Sequence, residues 1–405
     1  MMTFFLFLCV TGIVTSTIYA LLVAHGAIRF AARRRQTRRQ TRPVGFEPPA
    51  TLLKPLHGSE PELEAHLESF FLQDYPSFEI IFCARTDNDP AMEVARRLAA
   101  RYPGTPVKFL ASGRPPYANA KVWSLERMQP LAEHDFLIVS DSDVAVGPQY
   151  LREIMAPFAD ETVGLVTCLY RGVARWKDGL RLNLWAALEA VGMSIEMPSG
   201  VLVASMIEGM KFALGPTMAV RRRCLEGAGG FAAVGKYHAD DFMLGHLVAA
   251  GGGRVVLSTH VIDHYVLNTS LLSSIRHQMR WMTSTRFSRP KGHLGSALTY
   301  SMPYGLVAAA IALALHRPQL AVGLLAWAWA TRAWIVLMVG GMVVREPNLV
   351  AAALLYPFRD FLGFFYWIAS YFSNVVLWRE ETYRLHPDGS MQRGSRPVDR
   401  AVLTT

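Results

Sequence analysis

The sequence has few cysteines, and they are far apart. Cys9, Cys83, Cys168 and Cys224 are the only ones in 405 residues, with no CxxC pair and no Cys/His spacing of a zinc site. Neither a disulfide framework nor a structural zinc is indicated, and Cys83 and Cys168, set in apolar runs, read as core thiols. There is no internal repeat and no low-complexity block. No positive charge precedes the first apolar run, as it would in a cleaved signal peptide. The net charge of +9 comes without an aromatic–basic motif, so no nucleic-acid partner is expected.

What is abundant is apolar. Hydrophobic residues make up 51% of the chain and mean hydropathy is +0.21, both high for a soluble protein. The excess collects at the N-terminus and after residue 300, so the pattern is a soluble body with membrane segments. Residues 4–23 are long enough to cross a bilayer, for which about 20 residues suffice. Arg29, Arg33, Arg34, Arg35, Arg38, Arg39 and Arg42 follow them. That order predicts a retained anchor with residue 29 onward in the cytoplasm. Residues 298–315 and 320–344 are further expected spans, the second with Arg332 inside it. Residues 349–378 are apolar but interrupted by Arg359-Asp360: one span, two half-spans, or a span with an interfacial helix. The expected organisation is therefore an anchor over 1–28, a basic linker over 29–49, a cytoplasmic catalytic domain over 50–296, membrane or interfacial helices over 297–378 and a polar tail over 379–405.

Between the membrane segments, apolar runs alternate with helical spacing. Strands are expected at residues 50–53, 78–84, 107–110 and 136–139, and helices at 60–73, 89–101 and from Asn119-Ala120-Lys121 onward. Such alternation implies an α/β fold with a parallel sheet covered on both faces. Ligands bind such sheets beyond the carboxyl ends of the strands. Further strands are expected at 163–170, as a pair within 212–220, and as edge strands at 255–257 and 261–265. Helices are expected at 183–193, 241–250 and 271–287; residues 201–207 read as core or as the lining of an apolar slot.

The chemistry-bearing stretch is Ser140-Asp141-Ser142-Asp143, at the end of the fourth strand. Two carboxylates this close repel each other and resist burial. They become favourable when a hard divalent cation sits between them and a polyanion. The alternative is an ordinary strand-end turn. Two other strand-end loops carry His57 and then Asp87 with Asp89, and this convergence favours a grip on a metal–diphosphate. Lys121 at a helix N-terminus opposes the macrodipole unless an anion is bound there. Asp240-Asp241 opens a helix, which the dipole alone would explain; Asp241 could also serve as a general base for an attacking hydroxyl. Arg280 offers a planar cationic fork for a diphosphate and Trp281 a flat wall for an acceptor, against an ordinary surface arginine and core tryptophan. His264 could be a further metal ligand or a structural histidine.

In order along the chain, Lys54-Pro55-Leu56-His57-Gly58, Phe70-Phe71-Leu72-Gln73-Asp74-Tyr75-Pro76, Asp87-Asn88-Asp89, Asn119-Ala120-Lys121, Ser140-Asp141-Ser142-Asp143, Ala239-Asp240-Asp241 and Arg280-Trp281 resemble the ceramide glucosyltransferases. They are similar too to a bacterial branch that transfers an N-acetylhexosamine to hopanoid lipids. The resemblance implies a GT-A catalytic domain with a Rossmann-like mixed sheet, a UDP-sugar donor, Mg²⁺ or Mn²⁺, and inversion at the anomeric carbon. It implies nucleotide contacts at Asp87 and Asp89, ribose and metal–diphosphate at Asp141 and Asp143, Asp241 as base, and Arg280 with Trp281 over diphosphate and acceptor. His277 stands where the family has Gln or Arg. The expected enzyme moves one sugar from a UDP-sugar to a hydroxyl of an amphipathic lipid, on the cytoplasmic face of a membrane, the inner membrane if the source is bacterial. The rivals are a processive polysaccharide synthase, against which the few C-terminal spans argue, and a non-catalytic membrane protein that binds nucleotide-sugar.

Overall fold

A computed structural model describes residues 1–39, 46–174, 183–267, 270–378 and 381–394. Residues 40–45 of the expected linker and 395–405 of the tail lie outside the described residues. The chain divides into two compact units: one comprises Met1–Arg33, Arg171–Ile207 and Asn268–Leu377, the other Arg34–Tyr170, Glu208–Leu267 and Trp378–Thr405.

The second unit is built on an eight-stranded sheet: β1 (Ala50–Pro55), β2 (Phe78–Ala84), β3 (Val107–Ala111), β4 (Phe136–Ser140), β5 (Val144–Ala145), β6 (Val163–Ala174), β7 (Thr217–Arg221) and β8 (Arg254–Val266). Their spatial order is β3-β2-β1-β4-β7-β6-β8-β5. The first four run parallel, as the alternating pattern predicts. β7 is antiparallel to both β4 and β6, so the sheet is the mixed one expected of a GT-A domain. The central strands are apolar on both faces because helices cover both. On one face Leu53, Ile81, Cys83, Leu137 and Val139 pack with Val122 and Leu125 from one helix and Leu244 and Val248 from another, all fully or nearly fully buried; on the other Phe82 stacks on Phe71 of the helix Leu63–Phe71. Fully burying one such side chain is worth about 1.5–3 kcal/mol. Cys83 and Cys168 are buried, and all four cysteines are free thiols.

Two readings of this unit change. The residues expected as two edge strands form one strand, β8, which runs extended through polar Ser258, Thr259 and His260. The pair expected within 212–220 is a single strand, β7, preceded by irregular chain with one bridge, Leu214 to Thr217.

The first unit is helical. Four helices among the described residues are long and apolar enough to cross a membrane: Met2–Thr37, Leu184–Ile207, Pro318–Val344 and Leu349–Ala369. Pro290–Thr299 and Met302–Ala314, bent by 41° at their break, would make a fifth. Residues 201–207, expected as core or slot lining, continue the second of these helices. Pro198 does not end it, because the π turn Gly192–Glu196 just before has already shifted the hydrogen-bond ladder.

Arg359-Asp360 does not interrupt its helix either. Arg359 Nε lies 2.9 Å from Glu196 Oε2. Asp360 Oδ1 accepts from Arg332 at 2.8 Å, and its Oδ2 accepts from the backbone N–H of Ser301 and Met302 at 2.9 and 2.8 Å. Arg332 also donates to Thr299 O and to Ser16 Oγ, at 3.0 and 2.6 Å. One buried carboxylate thus satisfies a helix start and an arginine together, which is what an ion inside an apolar bundle requires.

Candidate active site

The site forms where the parallel strands end. β1 and β4 are neighbours in register, with Leu53 beside Val139, so Lys54 at the end of β1 reaches the turn that follows β4. Its ammonium donates to Asp141 O at 2.6 Å and lies 3.7 Å from the centre of the Phe70 ring. Lys54 is fully buried, and burial pushes it down to about 7.

The loop after β1 is tied to the loop after β2. Asp89 caps the helix Pro90–Arg101 through Ala91 N and accepts from Gly58 N at 2.9 Å. Asp87 is exposed and paired with Arg96 at 2.5 Å. Asp89 therefore holds two loops together, while Asp87 stands at the open side.

Asn119 caps the helix Ala120–Met128 by accepting from Val122 N, and its amide donates to Asp240 Oδ1 at 3.1 Å and to Tyr237 O at 3.1 Å. Lys121, in the first turn, forms an ion pair with Asp141 and approaches Gly215 O at 3.4 Å. Burial disfavours its charge, but Asp141, Asp240 and Asp241 outweigh that and hold the ammonium above the usual lysine range.

Asp241 is placed by two glycines. At Gly245 a Cβ would lie 2.4 Å from Ala213 N, so only glycine lets the helix Asp240–Ala250 rest on the backbone at Phe212 and Ala213. That contact brings Asp241 against the following turn, where Gly215 N donates to Oδ2 at 2.6 Å; its own neighbour Phe242 N donates to Oδ1 at 2.7 Å. Burial first, and then the charge of Asp240, push Asp241 up to about 6. A Cβ at position 215 would sit 3.0 Å from Asp241 Oδ2. Gly215→Ala should therefore displace the carboxylate by a few tenths of an ångström and lower kcat about tenfold, with KM for donor nearly unchanged; steady-state kinetics checks this.

Asp143 faces β8. Its Oδ2 is 3.1 Å from His264 Nε2, and its backbone carbonyl accepts from Tyr265 N. Burial works against its ionisation, but the nearby His264 and Lys121 hold the carboxyl below the usual range. Tyr170 packs edge-on to His264, and its phenol is pushed up by burial and by the charges of Asp241, Asp141 and Asp143. These acids therefore share one electrostatic neighbourhood.

Asp143 Oδ1 is buried without a hydrogen-bond partner. That is a vacant oxygen donor of the kind a hard cation takes. Among the described residues, no group of three or more His, Cys, Asp or Glu could hold a metal by themselves. The donor set thus fits a cation that brings ligands of its own, such as phosphate oxygens and water.

The sequence-derived candidates Asp141, Asp143, Lys121 and Asp241 lie together, with Asp87 and Asp89 on a loop at the same sheet edge. Arg280 and Trp281 belong to the helical unit, on the helix Leu271–Ser288. There His277 pairs with Glu189 at 2.5 Å and packs on the Trp281 ring, 4.3 Å between centres. Sequence reasoning missed Lys54, Asp240 and Tyr170. A lysine ending an apolar strand was a signal for the first, and the doubled acid at 240–241 for the second; nothing marked Tyr170.

Residues 8–391 match the family profile of glycosyl transferase family 21. The chain belongs to that family. It is 25% identical over 362 residues to ceramide glucosyltransferase 1 of Caenorhabditis elegans, covering 88% of this chain and 76% of that protein. It is 36% identical over 137 residues to the ceramide glucosyltransferase of Komagataella phaffii, covering 32% and 26%. Among solved structures, the mannosyltransferase PcManGT of Pyrobaculum calidifontis, in complex with GDP-Man and Mn²⁺, aligns with TM-score 0.47 and 18% identity over 89% of this chain and 98% of that one. Glucosyl-3-phosphoglycerate synthase of Mycobacterium tuberculosis, with Mn²⁺, UDP and phosphoglyceric acid, aligns with TM-score 0.37 and 17% identity over 60% and 79%. The family membership makes this chain a glycosyltransferase.

Proposed function

We propose that the protein transfers a single sugar from a UDP-sugar to a hydroxyl of an amphipathic lipid, with inversion, and that Asp241 is the base. The observation that carries this reading is the position of Asp241. Its carboxylate is fixed by two backbone donors, is pushed up to about 6, and stands beside a lysine already paired with Asp141. A base with a pKa near the working pH is the efficient kind.

The acceptor oxygen bonds to the anomeric carbon as the bond from that carbon to the diphosphate breaks. The acceptor proton passes to Asp241, and UDP leaves. Lys121 would meet the charge growing on the leaving diphosphate. Asp143 and Asp141 would hold Mg²⁺ or Mn²⁺, which when bound supplies neutralisation of that same charge. Lys54 and Asp240 hold the turn and the helix start in register.

The ceramide glucosyltransferase relatives support the lipid acceptor, and the apolar helices support a place in a membrane. Hopanoid and diacylglycerol are the other acceptors to weigh. Purified protein in detergent, given a panel of UDP-sugars against ceramide, hopanoid and diacylglycerol, should yield one monoglycosylated lipid by mass. Polymeric product, or none with any pair, would overturn the reading.

The pH dependence follows from Asp241. The base must be ionised, and its folded pKa is raised, so the active fraction falls as pH drops through about 6. kcat/KM, which reports the free enzyme, should lose about tenfold per pH unit below that point.

A further inference from the structure

Outside the acid cluster, the sheet unit has an open surface cavity of about 620 Å³ with cations from three separate segments: Arg114, Lys236 and Arg393. No acidic residue lines it. Its apolar walls are Pro116, Tyr117 and Met391. The volume falls in the range of small-molecule sites and exceeds what one inorganic anion fills.

The three segments have a structural relation to the catalytic residues. Residues 114–118 lead directly into Asn119 and Lys121. Lys236 and Tyr237 precede Asp240 and Asp241. The strands Glu381–Leu385 and Met391–Arg393 pair antiparallel, and this hairpin docks on the second segment: Met391 N donates to Lys236 O at 2.8 Å, and Ser390 bridges to Tyr237. Tyr117 lies flat enough on Gly235 that a Cβ there would meet its ring at 2.6 Å. Arg393 is paired with Glu381 at 2.9 Å, both partly exposed, a contact of the strength an incoming phosphate can replace.

We propose that this cavity is a second binding site, for a phosphate-bearing ligand with an apolar body, which bridges the tail hairpin to the loop that carries Lys121. Three lining cations, of which Arg393 is shared with Glu381, favour a multiply charged oxyanion, and Tyr117 with Pro116 favours a flat or apolar portion beside it. A soluble phosphate monoester and an anionic lipid headgroup share this chemistry.

The test uses the full chain in phosphatidylcholine nanodiscs, with the donor site saturated by UDP and Mn²⁺. Phenyl phosphate is the soluble probe and nanodiscs with added phosphatidylglycerol are the lipid arm; both are read as added hydrogen-exchange protection of the Tyr117 and Met391–Arg393 amides, which needs no turnover. In one arm or the other, a saturable response should survive excess UDP and weaken at least about tenfold in Arg114→Ala/Lys236→Ala, while the melting temperature and KM for donor stay at wild-type values. A response confined to phenyl phosphate identifies a soluble ligand, and one confined to phosphatidylglycerol a headgroup. No response in either arm, a response abolished by UDP, or a rise in donor KM in the double variant would overturn the proposal, the last two by making the cavity part of the donor site. The acceptor panel is read separately, so failure here leaves the transfer reaction untouched.

Discussion

Asp241→Asn should lower the transfer rate by about 10²–10⁴-fold, the usual worth of a general base, while UDP affinity stays nearly unchanged. The amide keeps one acceptor oxygen for two backbone donors, Gly215 N and Phe242 N. A local cost of about 1–3 kcal/mol is therefore expected, and a melting curve must accompany the kinetics. Asp240→Asn separates base from structure. Asp240 is a like charge that raises Asp241, so neutralising it should move the acid limb of kcat/KM to lower pH. A limb that stays in place in Asp240→Asn, or near-normal turnover in Asp241→Asn, would remove Asp241 from the role of base.

The largest stability effect is expected in the helical unit. Arg332 and Asp360 are 1% and 3% exposed and joined at 2.8 Å. Arg332→Met leaves the carboxylate without its counter-ion and should cost about 3–5 kcal/mol, read as faster thermal inactivation in detergent. Replacing both, as Arg332→Met/Asp360→Leu, should recover most of that loss. A residue of about 1 kcal/mol should remain, because Asp360 also accepts the N–H groups that open the helix Met302–Ala314. A loss in the double variant equal to the sum of the losses in Arg332→Met and Asp360→Leu alone would show that the pair contributes nothing as a pair.

The acids of the sheet unit were legible because their chemistry is local. Asp141 and Asp143 end an apolar strand, and Asp89 and Asn119 stand where helix caps stand, each explained by its neighbours in sequence. Lys54 was not, because its partner is the carbonyl of Asp141 in the turn after a neighbouring strand, and strand pairing is invisible to local periodicity. Arg359-Asp360 looked like a break for the same reason: the charges that compensate it, Glu196 and Arg332, lie on other helices. The continuation of the helix through Pro198 depended on a π turn that no hydrophobic pattern announces. What stayed hidden was in each case a contact between distant segments.

The Arg332–Asp360 bond also sets an order of events during synthesis. The two residues are 28 positions apart, which at about 5–20 residues per second separates their emergence from the ribosome by about 1.5–6 s. If the helices enter a bilayer in chain order, the guanidinium arrives among hydrocarbon tails before its counter-ion exists, with Ser16 of the first helix already waiting to receive one of its hydrogens. A nascent chain stopped after Ile335 should accordingly be a quality-control substrate, cleared faster than one stopped after Ala369, and pulse–chase turnover of the two would measure the difference.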